Sequence, residues 1–379
     1  MMRIGYDAKR VFHNFRGLGN YSRTLIESLV NHYSDNEYIL FTPPFEDNRA
    51  KSWEKRFPNL EIVTPKSKVS KVFSSPWRTL FLTQVVKEKS IDLYHGLSHE
   101  LPPGLRKWGI KSVVTVHDLI FLRFPDYFPW LDRQVYFKKF SHAVKQADIV
   151  IAICDQTKRD LIHFLECDPE KIEVVYQSCH PNFYNRVSED DREKVREEFS
   201  LPEHFILYVG AIEERKNAKT LVQAFSRLKD LIPHNLILVG SGKDYLKVVE
   251  DEIVHQGIVD RVRVVSDVPN SKLPAFYQMA DLFVYPSFFE GWGIPIVESL
   301  FSNCPVITTE GGCFEESGGA HTIYANPYSV EDLVSKIERV LFDDDLRATM
   351  IREGREYAEN FHWKNTSRNI MNVYKKLSE

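Results

Sequence analysis

The chain has 379 residues, 43% hydrophobic and 27% charged, enough for two globular domains of ordinary size. Lysine and arginine number 49 against 53 aspartates and glutamates, and the net charge of −4 argues against a general nucleic-acid binder. The five cysteines include no Cys-x-x-Cys pair, which argues against a disulfide frame or a zinc site. No apolar run approaches the ~20 residues that span a bilayer. Met1 leads straight into a strand rather than a leader segment, so the expectation is a cytoplasmic protein.

Arg3–Asp7 reads as a strand, 14–20 as a glycine-bearing loop, and the next segment as a helix with Tyr21, Leu25 and Leu29 on one face. A helix start offers free N–H groups and glycine lets a ligand approach the main chain. Gly17 and Gly19 are therefore candidates for phosphate contact; simple turn geometry is the alternative. Residues 38–42, 60–64 and 92–95 continue the strands, while Pro43-Pro44 and the charged stretch to Arg56 read as a surface loop. Residues 67–76 read as a mobile segment ahead of a helix over 77–87. The best buried strand of this half is 111–118, which ends in His117-Asp118. Open α/β sheets bind ligands beyond the carboxyl ends of their strands, so His117 is a candidate despite the many histidines that are merely structural. The aromatic run 121–130 suits either an acceptor-side wall or packed core. A helix over 132–147, a strand over 148–154, a helix over 156–165 and a strand over 171–176 complete the half. The polar stretch 182–200, with its charge run Ser188 to Lys194, is expected to link two domains.

The second half restarts the same grammar. Residues 205–211 form a strand whose end carries Gly210, and Arg215 and Lys216 follow before a helix over 220–231. Two cations between a strand end and a helix start suit a pyrophosphate, Arg215 as a fork and Lys216 as a point charge. The alternative is a surface pair neutralised by Glu213 and Glu214. Strands over 235–242, 261–265 and 282–286 lead to Glu290-Gly-Trp-Gly-Ile-Pro-Ile-Val-Glu298. That stretch reads as a glycine loop and helix start with one carboxylate on each side. Asp343-Asp-Asp345 reads as helix capping, not a metal site. Two sets of alternating strands and helices imply an α/β protein of two doubly wound, Rossmann-like domains facing a cleft.

The sequence resembles retaining glycosyltransferases of the GT-B fold, family 4, over nearly its whole length. The resemblance is carried by Gly17-Leu-Gly19, His117-Asp118, Tyr208-Val-Gly210 with Arg215-Lys216-Asn217, and the Glu-x7-Glu signature from Glu290 to Glu298. It implies an acceptor-side domain at 1–185, with a C-terminal helix at 361–379 packing back on it, and a donor domain at 195–360. It further implies that Arg215 and Lys216 bind the donor diphosphate, with Gly17 and Gly19 approaching it from the other domain. Main chain at Gly291, Trp292, Gly293 and Ile294 would hold sugar and phosphate. His117 and Glu290 would contact the sugar, and Glu298 the ribose.

Two departures stand out: Ala211 where some relatives carry arginine, and Trp292 where phenylalanine is usual. The implied reaction moves a hexose, mannose as first choice, from a nucleotide-diphosphate donor such as GDP-mannose or a UDP-sugar to a glycan or lipid-linked glycan hydroxyl. Lipopolysaccharide, O-antigen or capsule synthesis is the implied setting. No metal or cofactor is implied, and no nucleic-acid partner. Peripheral contact with the inner face of the membrane stays open if the acceptor is lipid-linked. The rival readings are a nucleotide-sugar epimerase or another enzyme on this fold, and a non-catalytic nucleotide-sugar-binding protein.

Overall fold

A computed structural model describes residues 1–65 and 82–378. The segment expected to be mobile, 67–76, lies outside the described residues. The chain forms two compact units: Met1–Ser178 with Trp363–Glu379, and Cys179–His362.

The first unit is built on β1 (Arg3–Asp7), β2 (Glu37–Phe41), β3 (Glu61–Val63), β4 (Leu93–Gly96), β5 (Lys111–Val116), β6 (Ile149–Ala152) and β7 (Ile172–Val174). Their order is β3-β2-β1-β4-β5-β6-β7, with every pair parallel. The second unit uses β8 (Phe205–Val209), β9 (Asn235–Val239), β10 (Val262–Val265), β11 (Leu282–Tyr285), β12 (Val306–Thr309) and β13 (Ile323–Ala325). They are parallel in the order β10-β9-β8-β11-β12-β13. Helices cover both faces of such sheets, which is why β8 and β11 are apolar and buried along their whole length. Two doubly wound sheets are what the strand–helix alternation predicts. β13 lies outside the strands expected from the sequence.

Two segments differ from the reading of their charge. Residues 48–55, expected as loop, form the helix Asn48–Lys55, capped by Asp47 and anchored by buried Ala50 and Trp53. Two buried side chains one turn apart suffice to fix a short helix, and the charges around them hide the period. Residues 189–199, expected within a linker, form the helix Glu189–Phe199. Ser188 caps it and three acidic residues in its first turn complement the helix dipole, so the charge run is a helix start.

The C-terminal helix Trp363–Ser378 belongs to the first unit, where it buries Ile370, Met371, Val373 and Tyr374. Each such burial is worth about 1.5–3 kcal/mol. Its Tyr374 hydroxyl lies 2.6 Å from His95 Nδ1 and donates to the Tyr6 hydroxyl at 3.2 Å. His95 Nε2 lies 2.8 Å from the Thr115 hydroxyl, which Tyr21 reaches at 3.2 Å. Burial keeps this imidazole neutral, with its pKa pushed down to about 3. A chain of buried polar groups thus crosses the sheet, each satisfied by the next.

The helix Gly17–His32 follows β1 after one short helix. A Cβ at Gly19 would fall 1.7 Å from the Asn14 carbonyl oxygen, whereas one at Gly17 meets nothing within 4 Å. Gly19→Ala should therefore destabilise the protein by on the order of 2–3 kcal/mol, while Gly17→Ala stays within about 0.5 kcal/mol of wild type. Urea unfolding of both variants tests this; equal losses would show that the turn tolerates a Cβ.

Candidate active site

In the second unit the strand order reverses between β8 and β11, and ligands of open α/β sheets bind in the crevice at such a point. The segments that leave these two strands bring together Arg215, Lys216 and Glu290. Glu290 Oε1 lies 2.9 Å from Arg215 Nη1 and 2.6 Å from Lys216 Nζ. Tyr285, the last residue of β11, donates to the same oxygen at 3.1 Å and accepts from Lys216 at 2.6 Å. Arg215 also donates to the Phe289 carbonyl. Glu213 and Glu214 remain exposed, so the two cations are paired by Glu290 rather than by their acidic neighbours in sequence.

Burial alone would raise the Glu290 carboxyl, but Arg215 and Lys216 reverse that and hold it at about 2. The same burial lowers Lys216 below the usual lysine range, with Glu290 opposing it. Two cations sharing one carboxylate leave a positive excess at the strand ends, ready for an anion.

Asn217 fixes this arrangement and was not singled out from sequence for that role. It takes a left-handed conformation (φ 57°) and donates to the carbonyls of Pro286 at 3.1 Å and Pro327 at 3.0 Å. Thr220 donates to its side-chain oxygen at 2.7 Å. The loop after β8 is thereby tied to the loop after β11. An asparagine just before a helix is the one signal the sequence offers, since asparagine tolerates this conformation.

Gly293 precedes the helix Ile294–Phe301 with φ +100°, a conformation that strains any residue with a Cβ. Pro295 lies in the first turn and no side chain caps the helix, so the main chain around Gly291, Gly293 and Ile294 presents the helix start. Trp292 turns away from it. Trp292 is 3% exposed, and its indole packs edge-on to Phe361 at 5.1 Å. Glu298 is half-buried and accepts from the Tyr277 hydroxyl at 3.0 Å. Burial pushes its pKa up to about 7, and the bond from Tyr277 offsets only part of that. The two glutamates have different partners, and their pKa values are shifted in opposite directions. Gly210 ends β8 against the Val239 carbonyl, directly ahead of the cation loop.

In the first unit His117 follows β5 and is buried. Its Nε2 lies 2.9 Å from the Leu97 carbonyl oxygen and its Nδ1 2.6 Å from the Gln177 amide nitrogen. A carbonyl only accepts, so this network assigns the proton to Nε2 and leaves Nδ1 to accept from Gln177. Burial pushes the pKa to about 4, and Tyr21 and His99 stand edge-on at 4.7 and 5.1 Å. Both ring nitrogens therefore have protein partners, and no sugar contact is open to them without an exchange. Gly17 is exposed at the uncapped start of its helix, whereas Gly19 is buried within the first turn of that helix. The switch point of this sheet, between β1 and β4, opens on a cavity of about 320 Å³ whose lining includes Asp7, Lys9, Glu100, Lys138, Lys139 and His142. Sequence reasoning did not find it, because its charges come from three separate segments.

Residues 15–182 match the family model Glycosyltransferase Family 4, and residues 189–357 match Glycosyl transferases group 1. The chain is 30% identical over 295 residues to the O-antigen chain mannosyltransferase B of Escherichia coli, covering 75% of this chain and 74% of that one. The chain belongs to the family 4 glycosyltransferases. This glycosyltransferase is also 27% identical over 241 residues to a D-inositol 3-phosphate glycosyltransferase of Corynebacterium glutamicum, covering 61% of this chain and 58% of that one. Its fold matches the crystal structure of Anabaena HepE with UDP and glucose at a TM-score of 0.77 and 19% identity, over 99% of this chain and 100% of that one. That likeness is in keeping with the GT-B fold expected from the sequence.

Among the described residues no helix is long and apolar enough to cross a membrane. Glu298 gives the site a pH signature in stability. Its folded pKa of about 7 exceeds the ordinary 4.5, so its contribution is complete below about 4.5 and is lost as the pH rises through about 7. Relative to Glu298→Gln, the wild type should lose up to roughly 3 kcal/mol between pH ~5 and ~7.5. Urea unfolding of both proteins at several pH values measures the difference, and a flat difference across that window would contradict the buried-acid reading.

Proposed function

We propose that this glycosyltransferase moves a hexose from a nucleotide-diphosphate donor to an acceptor hydroxyl with retention at the anomeric carbon. GDP-mannose is the first donor to try and a glycan the acceptor, in O-antigen, lipopolysaccharide or capsule synthesis. One observation carries the reading: Arg215 and Lys216 are locked on Glu290 at the switch point, beside an uncapped helix start. The Escherichia coli relative, by name an O-antigen mannosyltransferase, supports the choice of sugar and setting.

In this reading the diphosphate lies against Arg215 and Lys216, and both cations stabilise the charge that builds up as it leaves. Glu290 Oε1 keeps them in place, which leaves Oε2 for a sugar hydroxyl. The N–H groups about Gly291, Gly293 and Ile294 take sugar or phosphate oxygens. Glu298 accepts from the ribose, best once deprotonated. In the first unit the exposed Gly17 end of its helix serves phosphate contact, and His117 positions the neighbouring wall through Leu97 and Gln177. Its cavity takes the acceptor. A departing phosphate oxygen takes the acceptor proton, so no general base is assigned. The inositol-phosphate relative favours a second acceptor class, since the lysines of that cavity would suit an anionic acceptor.

Lys216→Ala should lower kcat by roughly 10²–10³-fold, the scale seen when one transition-state donor is lost. Near-ultraviolet circular dichroism should stay native. Full activity in that variant would remove the diphosphate assignment. Donor identity is tested separately, by thermal stabilisation and product analysis with GDP- and UDP-sugars, with and without glycan or inositol phosphate. GDP-mannose should stabilise most and yield an α-linked product on the glycan. Release of free sugar or an epimer alone would argue against transfer.

A further inference from the structure

The opposite edge of the second sheet carries a cluster that the transfer chemistry does not use. His204, His234 and Asp281 stand immediately before β8, β9 and β11, which are adjacent in the order β9-β8-β11. All three strands are parallel, so these residues share the amino edge, away from Arg215 and Glu290.

Asp281 Oδ2 lies 3.3 Å from His204 Nδ1 and 3.4 Å from His234 Nε2. One donor atom from each residue lies within 4.8 Å of the other two. Asp281 is held through side chain and main chain: Oδ2 accepts from the Phe205 N–H at 3.0 Å, and the Asp281 N–H donates to the Phe205 carbonyl at 3.0 Å. His234 is the unexplained member. Its Nδ1 is enclosed with no hydrogen-bond partner, and its Nε2 is farther from the carboxylate than a good hydrogen bond allows. A largely buried imidazole whose Nε2 makes only this long contact leaves that nitrogen open to another partner.

The spacing suits a metal ion. Donors bound tetrahedrally at about 2.0–2.1 Å stand roughly 3.3 Å apart, which matches both measured edges. Two imidazoles and one carboxylate are the donor set of zinc-type ions, not of magnesium or calcium, which prefer all-oxygen shells. Half-exposed His204 gives a path from solvent and room for a fourth, water ligand. Arg261 and Arg347 nearby oppose a cation, so the affinity should be moderate.

We propose that His204, His234 and Asp281 bind one divalent transition-metal ion of the zinc type, clipping together the starts of three strands that lie far apart in sequence. The test uses the full chain after chelation, titrated with cobalt(II) and separately with zinc. Wild type should bind one equivalent of cobalt with the visible absorption of a four-coordinate site. Zinc at a hundredfold excess over its Kd should raise the unfolding temperature by on the order of 5 °C. His204→Gln, exposed and outside the sheet ladder, should fold normally and lose both effects, and His234→Gln should do the same. Absence of cobalt absorption and of a zinc shift in the wild type would overturn the proposal. So would binding that survives in both variants with thiolate-to-cobalt charge transfer, which would place the ion on cysteines instead.

Discussion

The carboxylate of Glu290 is the constraint on which the donor end of this glycosyltransferase depends. Arg215 and Lys216 could not be kept in a largely buried crevice without a counter-charge, because each would lose its hydration and gain nothing in return. Glu290 supplies that charge from the far side of the switch point, and Tyr285 completes the shell. Its anionic form is maintained by the same pair it stabilises, hence its low pKa. Removing Glu290 would leave two buried cations without their counter-charge, so positioning and electrostatics here are one property.

The two signature glutamates have opposite chemistry for a physical reason. Glu290 is buried among cations and stays ionised under all ordinary conditions. Glu298 is half-buried beside a phenol and takes up a proton near neutrality. A pair split this way can resemble an acid and a base, but they have different partners and are held by different strands and helices. In the proposed function both are better described as groups that receive hydroxyls, one within reach of the sugar and the other of the ribose.

The first unit solves a different problem with the same means. Neutral polar groups buried across its sheet are satisfied in a chain: Tyr374, His95, Thr115 and Tyr21. The helix that supplies Tyr374 comes from the far end of the sequence, so the core of this unit is closed only when the chain returns to it. His117, held by Leu97 and Gln177, belongs to the same style of construction.

The sequence by itself determined the fold class and most strands, because buried parallel strands are continuous apolar runs and their loops carry glycine and proline in recognisable places. It also marked Arg215, Lys216, Glu290 and Glu298, since charges at strand ends and helix starts stand out. It could not separate Gly17 from Gly19: only the approach of the Asn14 carbonyl shows that one is packing and the other open. It could not show where the Trp292 side chain goes: the fold turns the indole into the core against Phe361. The helices at 48–55 and 189–199 were hidden because few buried side chains define them amid many charges. The pairing of the cations with Glu290, the staple made by Asn217 and the His204–His234–Asp281 cluster join residues some 30 to 110 positions apart. Such contacts have no local period or propensity to betray them; the order of strands in the sheet decides them.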